Sequence, residues 1–341
     1  MINADSEAKV SASPANQASV HQDVVKNLVN KFCDAALKKG ISGLREEFAS
    51  MRNVDIPSPE SLVSFYENHD HGRNRYRDVP CLEESRVTLV NHPQENDYIH
   101  ANYVATPFSE RRFICSQAPL STTCYDFWFM ILQENVECVI MLCNFYEEGK
   151  PKCFQYIPME LDASLTFDDI SVSVTSVDMM KAENGDLNEQ IFERSVKVKR
   201  GDIERTVTHF HWKTWPDHGV PSNDLAPLVL LQRVRQSQRP IVVHCSAGIG
   251  RTGSIVAIEY VLERMIFGCQ PCEEMSEVLR NLRKQRAFSI QTDTQYLYVH
   301  CILLRYYTEL RYISAGNIEL CKFLEEYDRA VGIYSPQQQK W

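Results

Sequence analysis

The sequence predicts a single α/β domain: a twisted mixed β-sheet flanked by helices on both faces, with a strand, a glycine-rich loop and a helix in direct succession. Three observations predict it. First, β-like apolar runs (RFICSQ at 112–117, CVIML at 138–142, VTSV at 174–177, IVVHC at 241–245) alternate with stretches of helical spacing. Second, IVVHCSAGIGRTGSIVAIEYVLERM, residues 241–265, runs from a β-branched strand through a loop into an apolar helical pattern. Third, no internal repeat is present, which disfavours a solenoid or tandem architecture.

Taken in order, residues 1–22 are rich in Ser, Ala, Asn and Gln without periodicity and read as a disordered tail. Residues 23–56 read as a helical extension. There VVKNLVNKFCDAAL sets Val24, Leu28, Phe32 and Ala35 at helical spacing, Gly40 supplies a stop, and GLREEFASM forms a second short helix. Residues 57–310 carry the α/β domain proper. Within it MMKAENGDLNEQ, 179–190, is polar, contains a glycine and reads as a surface turn between strands. Residues 311–341 read as a C-terminal helix and polar tail, with Ile318, Cys321, Leu324 and Val331 sharing a face packed back onto the domain.

Bulk properties narrow the function. A formal charge of −9 over 341 residues opposes nucleic-acid binding across the surface, because that affinity comes from neutralised phosphates. Any anion site must be local. The longest apolar pattern, IVAIEYVLERMIF, is broken by Glu259, Glu263 and Arg264, so no membrane span is expected. The N-terminal stretch lacks the apolar core of a secretory signal, and a cytoplasmic location with reduced thiols is the expectation for the twelve cysteines. Cys269 and Cys272 form a C-x-x-C, but no second pair completes a four-ligand metal set. No metal and no cofactor is expected.

The chemistry is concentrated at Cys245. A loop between a strand and a helix turns successive backbone N–H groups of Ser246, Ala247, Gly248, Ile249 and Gly250 toward one point, where the helix dipole adds its positive end. Such a cradle suits a phosphate dianion, and the same groups favour an ionised sulfur on Cys245. Arg251 presents a planar fork to phosphate oxygens, and Thr252 offers a hydroxyl to the sulfur when it must leave. A nucleotide-binding loop would carry Lys before Ser or Thr, and this loop carries Arg251 with a cysteine in front. A buried structural cysteine is the plainer alternative for the C-x₅-R spacing taken alone.

HCSAGIGRTG resembles the signature of the phosphotyrosine-specific protein phosphatases, and the likeness continues through further motifs from about Phe65 to Tyr306. It implies Cys245 as nucleophile, Arg251 as phosphate ligand and His244 as the residue that orients the cysteine. Phenols have a pKa near 10, so a positioned acid is needed to expel one at neutral pH. WPDHGVP resembles the family's mobile loop, which implies Asp217 as general acid and then base. RNRYRDV resembles the loop whose Tyr76 stacks on the substrate ring and whose Asp78 holds the peptide backbone, making a slot too deep for phosphoserine. By the same resemblance Gln291 and Gln295 position the hydrolytic water, and Lys152, with Glu147 nearby, helps place the acid loop and Arg251. Trp128, Asp97 and Tyr98 belong to framework motifs. The implied partners are phosphotyrosine-containing proteins, with the termini as recruiting elements.

The chain departs from the family pattern at several positions. His100 stands where DYINA has Asn, Ala118 where QGP has Gly, and Ile157 where YWP has Trp. Phe288 occupies a position where a small residue is usual, and a ring there is expected to narrow substrate choice. Two rival readings stay open. One is a catalytically weak phosphotyrosine-binding scaffold that keeps the fold, and the other is a dual-specificity or lipid phosphatase. The neutral SAGIG loop and the long run of tyrosine-specific motifs speak against the latter.

Overall fold

The computed structural model describes residues 14–181, 187–221, 225–272 and 274–332. Among these residues nine strands form one mixed sheet: β1 (Arg86–Thr88), β2 (Tyr98–Thr106), β3 (Ser109–Ser116), β4 (Cys138–Met141), β7 (Ser164–Phe167), β8 (Ile170–Lys181), β9 (Leu187–Arg200), β10 (Ile203–Trp212) and β11 (Ile241–His244). A short hairpin, β5 (Tyr146–Glu147) with β6 (Lys150–Pro151), stands apart. The order across the sheet is β1-β2-β3-β11-β4-β10-β9-β8-β7. The central strands β3, β11, β4 and β10 are mutually parallel, and the flanking pairs are antiparallel. Parallel centres are covered on both faces, which is why β4 and β11 read as unbroken apolar runs and are buried throughout.

Helices α1 (Pro14–Ser50), α2 (Val63–Glu67), α3 (Cys124–Gln133), α4 (Ala226–Val234), α5 (Gly250–Leu262), α6 (Met275–Arg283), α7 (Asp293–Glu309) and α8 (Ile318–Val331) flank this sheet. Gly40, at φ 61° and ψ −175°, breaks α1 into two segments where the sequence places a stop. The helix starts at Pro14, earlier than the Asp23 read from the pattern, while residues 1–13 of the expected tail lie outside the described residues. One helical face is corrected, on α8. On the first segment of α1, Val25, Val29, Phe32, Cys33 and Ala36 are buried, Leu28 packs partly against the core and Val24 is exposed. Phe32 decides the rotation, because it stacks on His300 and meets Tyr307 edge-on from α7. On α8, Leu320, Phe323 and Tyr327 are buried and Leu324 and Val331 pack partly against the core, whereas Ile318 and Cys321 are exposed. Burying two aromatic rings outweighs burying Ile318 and a thiol.

One continuous core cluster runs from Val25 to Tyr327, so the N-terminal helix and α8 pack with the same core as the sheet. The polar segment 179–190 joins β8 to β9, which pair antiparallel through Lys181 and Leu187, and its turn at 182–186 lies outside the described residues. The polar tail at 333–341 lies outside them too. Among the described residues no helix is long and apolar enough to cross a membrane, and no group of three or more His, Cys, Asp or Glu is placed to hold a metal.

Candidate active site

β11 ends at the buried His244, and the chain turns through Cys245–Ile249 before α5 begins at Gly250. The turn needs Gly248: at φ +72°, a Cβ there would lie 2.1 Å from the Ser116 carbonyl oxygen at the end of β3. Gly253 needs its missing side chain for packing, since a Cβ would sit 2.6 Å from the Ile290 nitrogen. The Gly248 N–H donates to Cys245 Sγ at 3.2 Å. Cys245 is 4% exposed, yet its sulfur-bearing side chain lines a cavity of about 230 Å³ together with Tyr76, Asp78, Lys152, Asp217, Ser246, Ala247, Gly250, Arg251, Gln291 and Gln295. Gly248 and Ile249 form the back of the loop, where the Ile249 carbonyl accepts from Gly253 and Ile290.

Behind the loop sits Arg286, fully buried, which the sequence reading did not single out. Its Nε donates to the Gly248 carbonyl at 3.0 Å and its Nη2 to the Ala247 carbonyl at 2.9 Å. Its Nη1 donates to Asn102 Oδ1 at 2.7 Å and lies 3.2 Å from His100 Nδ1. With those two carbonyls turned back to Arg286, the loop is free to aim its N–H groups into the cavity. Every one of these acceptors is uncharged, and among the described residues no carboxylate pairs with Arg286, so its charge adds to the positive potential of the cradle. His244 holds the other side. Its Nδ1 lies 3.2 Å from the Cys245 carbonyl, which only accepts, so Nδ1 carries a proton. Tyr156 Oη bridges the Nε2 atoms of His244 and His209 at 2.7 Å each.

Arg251 is 1% exposed and projects from the first turn of α5. Glu147 of the β5–β6 hairpin accepts from both its terminal nitrogens, at 2.7 and 2.9 Å, and the Trp215 carbonyl accepts at 3.0 Å. Burial opposes its charge, but the Glu147 carboxylate and the Cys245 sulfur hold it protonated even more firmly than an ordinary arginine. Its Nη2 also donates to Asp217 Oδ1 at 3.1 Å. The other Asp217 oxygen accepts from Lys152 Nζ. Burial raises the Asp217 carboxyl, and the Lys152 hydrogen bond with the charges of Arg251 and His218 outweighs it, leaving the group below its ordinary value. The acid loop is anchored where Trp215 donates to the Gly219 carbonyl and Thr292 Oγ1 donates to the His218 carbonyl.

The aromatic wall is tied to the cradle through Ser246. Ser246 Oγ donates to the Lys152 carbonyl at 3.1 Å, so Tyr76 Oη is the donor in its 2.8 Å bond to Ser246 Oγ. Tyr76 is half-buried and Asp78 exposed. Gln117 braces the segment before them, accepting from the Arg75 N–H and donating to the Arg73 carbonyl. Three expected roles meet different surroundings. Gln295 Oε1 accepts from the backbone of Gln291 and Thr292 as half of a capping box on α7, so its oxygen is already engaged. Thr252 Oγ1 is buried without a hydrogen-bond partner among the described residues, rather than bonded to the sulfur. Phe288 is not in the cavity wall; it packs on a small cluster with Leu62, Phe65 and Tyr98. Its backbone is left-handed, at φ 60°.

The model of the family described as protein-tyrosine phosphatase matches residues 70–305. Human tyrosine-protein phosphatase non-receptor type 9 is 32% identical over 324 residues, covering 87% of this chain and 51% of that protein. Human tyrosine-protein phosphatase non-receptor type 2 is 36% identical over 264 residues, covering 73% of this chain and 59% of its own length. The chain thus spans little more than half the length of either relative. The crystal structure of the catalytic domain of human protein tyrosine phosphatase non-receptor type 18 superposes with a TM-score of 0.69 at 27% identity, covering 84% of this chain and all of that one. A structure of PTPN18 in complex with HER2 pY1248 phosphopeptides matches with a TM-score of 0.68 at 26% identity, covering 80% of this chain and 100% of that one. With the matched segment enclosing the cysteine loop, Arg251, Asp217 and both walls of the cavity, this chain belongs to the protein-tyrosine phosphatase family.

Proposed function

We propose that this chain hydrolyses phosphotyrosine in proteins through a cysteinyl-phosphate intermediate. The observation that carries the reading is the sulfur of Cys245 taking a hydrogen bond from the Gly248 N–H, with Cys245 lining a cavity that Arg251, Asp217 and Tyr76 also line. The Cys245 thiolate attacks phosphorus, and the bond from phosphorus to the phenolic oxygen breaks as Asp217 gives that oxygen its proton. Arg251 and the loop N–H groups hold the phosphoryl oxygens throughout. Asp217 then takes a proton from water positioned by Gln291, the water oxygen bonds to phosphorus, and the sulfur leaves as thiolate with inorganic phosphate as product. Gln295 supports this step by fixing the Gln291 backbone.

Tyr76 forms the wall of the slot and Asp78, exposed at its mouth, receives the peptide backbone. That PTPN18 has been seen with phosphopeptides supports this assignment of substrate class. Lys152 and Glu147 divide the positioning, one on Asp217 and the other on Arg251. Turnover of an aryl phosphate and of a phosphotyrosyl peptide by the full chain tests the proposal, with Cys245→Ser expected to abolish both. A non-catalytic phosphotyrosine-binding scaffold would bind the peptide without releasing phosphate. Release of phosphate from the phosphoseryl version of that peptide at an equal rate would contradict the tyrosine assignment. Location in the cytoplasm and recruitment through the termini are part of the same proposal, tested by fractionation and by terminal deletion.

A further inference from the structure

His100 lies on β2, 2% exposed, with its imidazole between two parts of the site. Nδ1 faces Arg286 Nη1 at 3.2 Å and Nε2 faces the Val79 carbonyl at 2.9 Å. Arginine only donates and a carbonyl only accepts, so one neutral tautomer, protonated on Nε2, satisfies both ends. Burial and the adjacent Arg286 charge push its pKa down to about 3, which keeps the ring neutral over the working range. Phe65 meets the ring edge-on at 5.9 Å and restricts its plane. Arg286 is the group that grips the Ala247 and Gly248 carbonyls, and Val79 lines the cavity next to Asp78.

We propose that His100 is a positioning residue, a rigid strut that fixes the slot backbone at Val79 against the phosphate cradle by way of Arg286. An asparagine, the residue of the family pattern at this position, ends near where the imidazole has Nδ1 and does not reach the place of Nε2. The imidazole therefore spans from guanidinium to carbonyl in one piece. Gln117 holds the segment at Arg73 and Arg75, so the strut acts on the part that follows Tyr76. The kinetic consequence rests on the phosphatase reading, and the strut itself does not.

Two variants of the full chain separate the ends: His100→Asn keeps an acceptor for Arg286, and His100→Gln keeps a donor for Val79. Amide hydrogen exchange over residues 77–82 is expected to rise roughly two- to tenfold in His100→Asn, the equivalent of one buried hydrogen bond, and to rise less in His100→Gln. KM for a phosphotyrosyl peptide should rise by a similar factor in His100→Asn, while inhibition by tungstate, which needs only the cradle, stays within about twofold. Exchange and KM equal to wild type in His100→Asn would overturn the strut, and so would faster exchange spread evenly to remote elements such as α8. A wild type that hydrolyses neither ester, with exchange still faster in His100→Asn, would sink the phosphatase reading and leave the strut standing.

Discussion

Arg251 donates to Asp217 at 3.1 Å, so the residue proposed to grip phosphate and the one proposed to supply a proton touch across the cavity. Lys152 occupies the second Asp217 oxygen, and together the cations keep the carboxyl ionised. A phosphate dianion that draws Arg251 to itself and adds negative charge beside Asp217 pushes the carboxyl the other way, toward the protonated form an acid needs. In the proposed mechanism, substrate thereby loads its own general acid.

Asp217→Ala should lower kcat by about 10²- to 10⁴-fold on a phenolic ester without raising KM, because cradle and nucleophile survive. Lys152→Met removes the strongest of the cationic influences on the carboxyl, so the alkaline limb of kcat against pH should move to higher pH. A limb that stays in place in Lys152→Met would separate that lysine from the acid.

Arg286→Met keeps most of the side-chain volume and leaves four acceptors without their donor. Stability should fall by about 2–4 kcal/mol by denaturant unfolding, and vanadate affinity should drop at least about tenfold as the loop carbonyls turn into the cavity. Arg286→Lys restores the charge but cannot span all four acceptors, and should recover the vanadate affinity only in part.

Acid should unfold this chain through its buried histidines. Burial drives His100 and His211 down to about 3 and His300 to about 4, and His209 moves in the same direction. The unfolded imidazole titrates near 6.5, so between that pH and about 4 the unfolded chain binds protons the native one refuses. The stability this gives is fully present above pH 6.5 and is lost as pH falls toward the native values, at up to about 1.4 kcal/mol per pH unit for each histidine. Urea midpoints at pH 7.5, 6 and 5 should decline in order. The Asp126 and Glu263 carboxyls, which burial raises, act in the opposite direction, but two such groups do not offset four histidines, and a flat series would contradict the burial of these rings.

What was legible in the sequence is what is local. HCSAGIGRTG sets strand, loop and helix in one contiguous stretch, so the cradle and Arg251 could both be read from spacing. Arg286 could not: KQRAFSI carries no signature of its own, and its importance comes from a tertiary approach to carbonyls 38 and 39 positions upstream. The buried faces of α1 and α8 are not legible locally for a related reason. VVKNLV offers two adjacent apolar stripes, and only the rings waiting on α7 choose between them. The Gln295 cap is legible in the sequence, since Thr292 followed three residues later by Gln is the pattern of a capping box. The packing of Phe288 on the cluster with Leu62, Phe65 and Tyr98 is tertiary, and nothing in its local sequence announces it.

Thr252 carries the last prediction. Its hydroxyl is buried with no hydrogen-bond partner among the described residues, one turn into the helix that follows Cys245. An unsatisfied buried hydroxyl is a cost to the fold, so Thr252→Val, of nearly the same shape, should leave stability unchanged or slightly raised. A hydroxyl kept at that cost argues for a task during turnover, and in the proposed mechanism the sulfur leaving phosphorus is a group that gains from a donor. In Thr252→Val, cleavage of an aryl phosphate should stay fast while hydrolysis of the cysteinyl phosphate slows. Stopped-flow mixing should then reveal a burst of phenol approaching one equivalent per site, followed by a slow steady state. An unchanged kcat without a burst would mean that the hydroxyl plays no part, and a loss of more than about 1 kcal/mol of stability would mean that it has a structural partner instead.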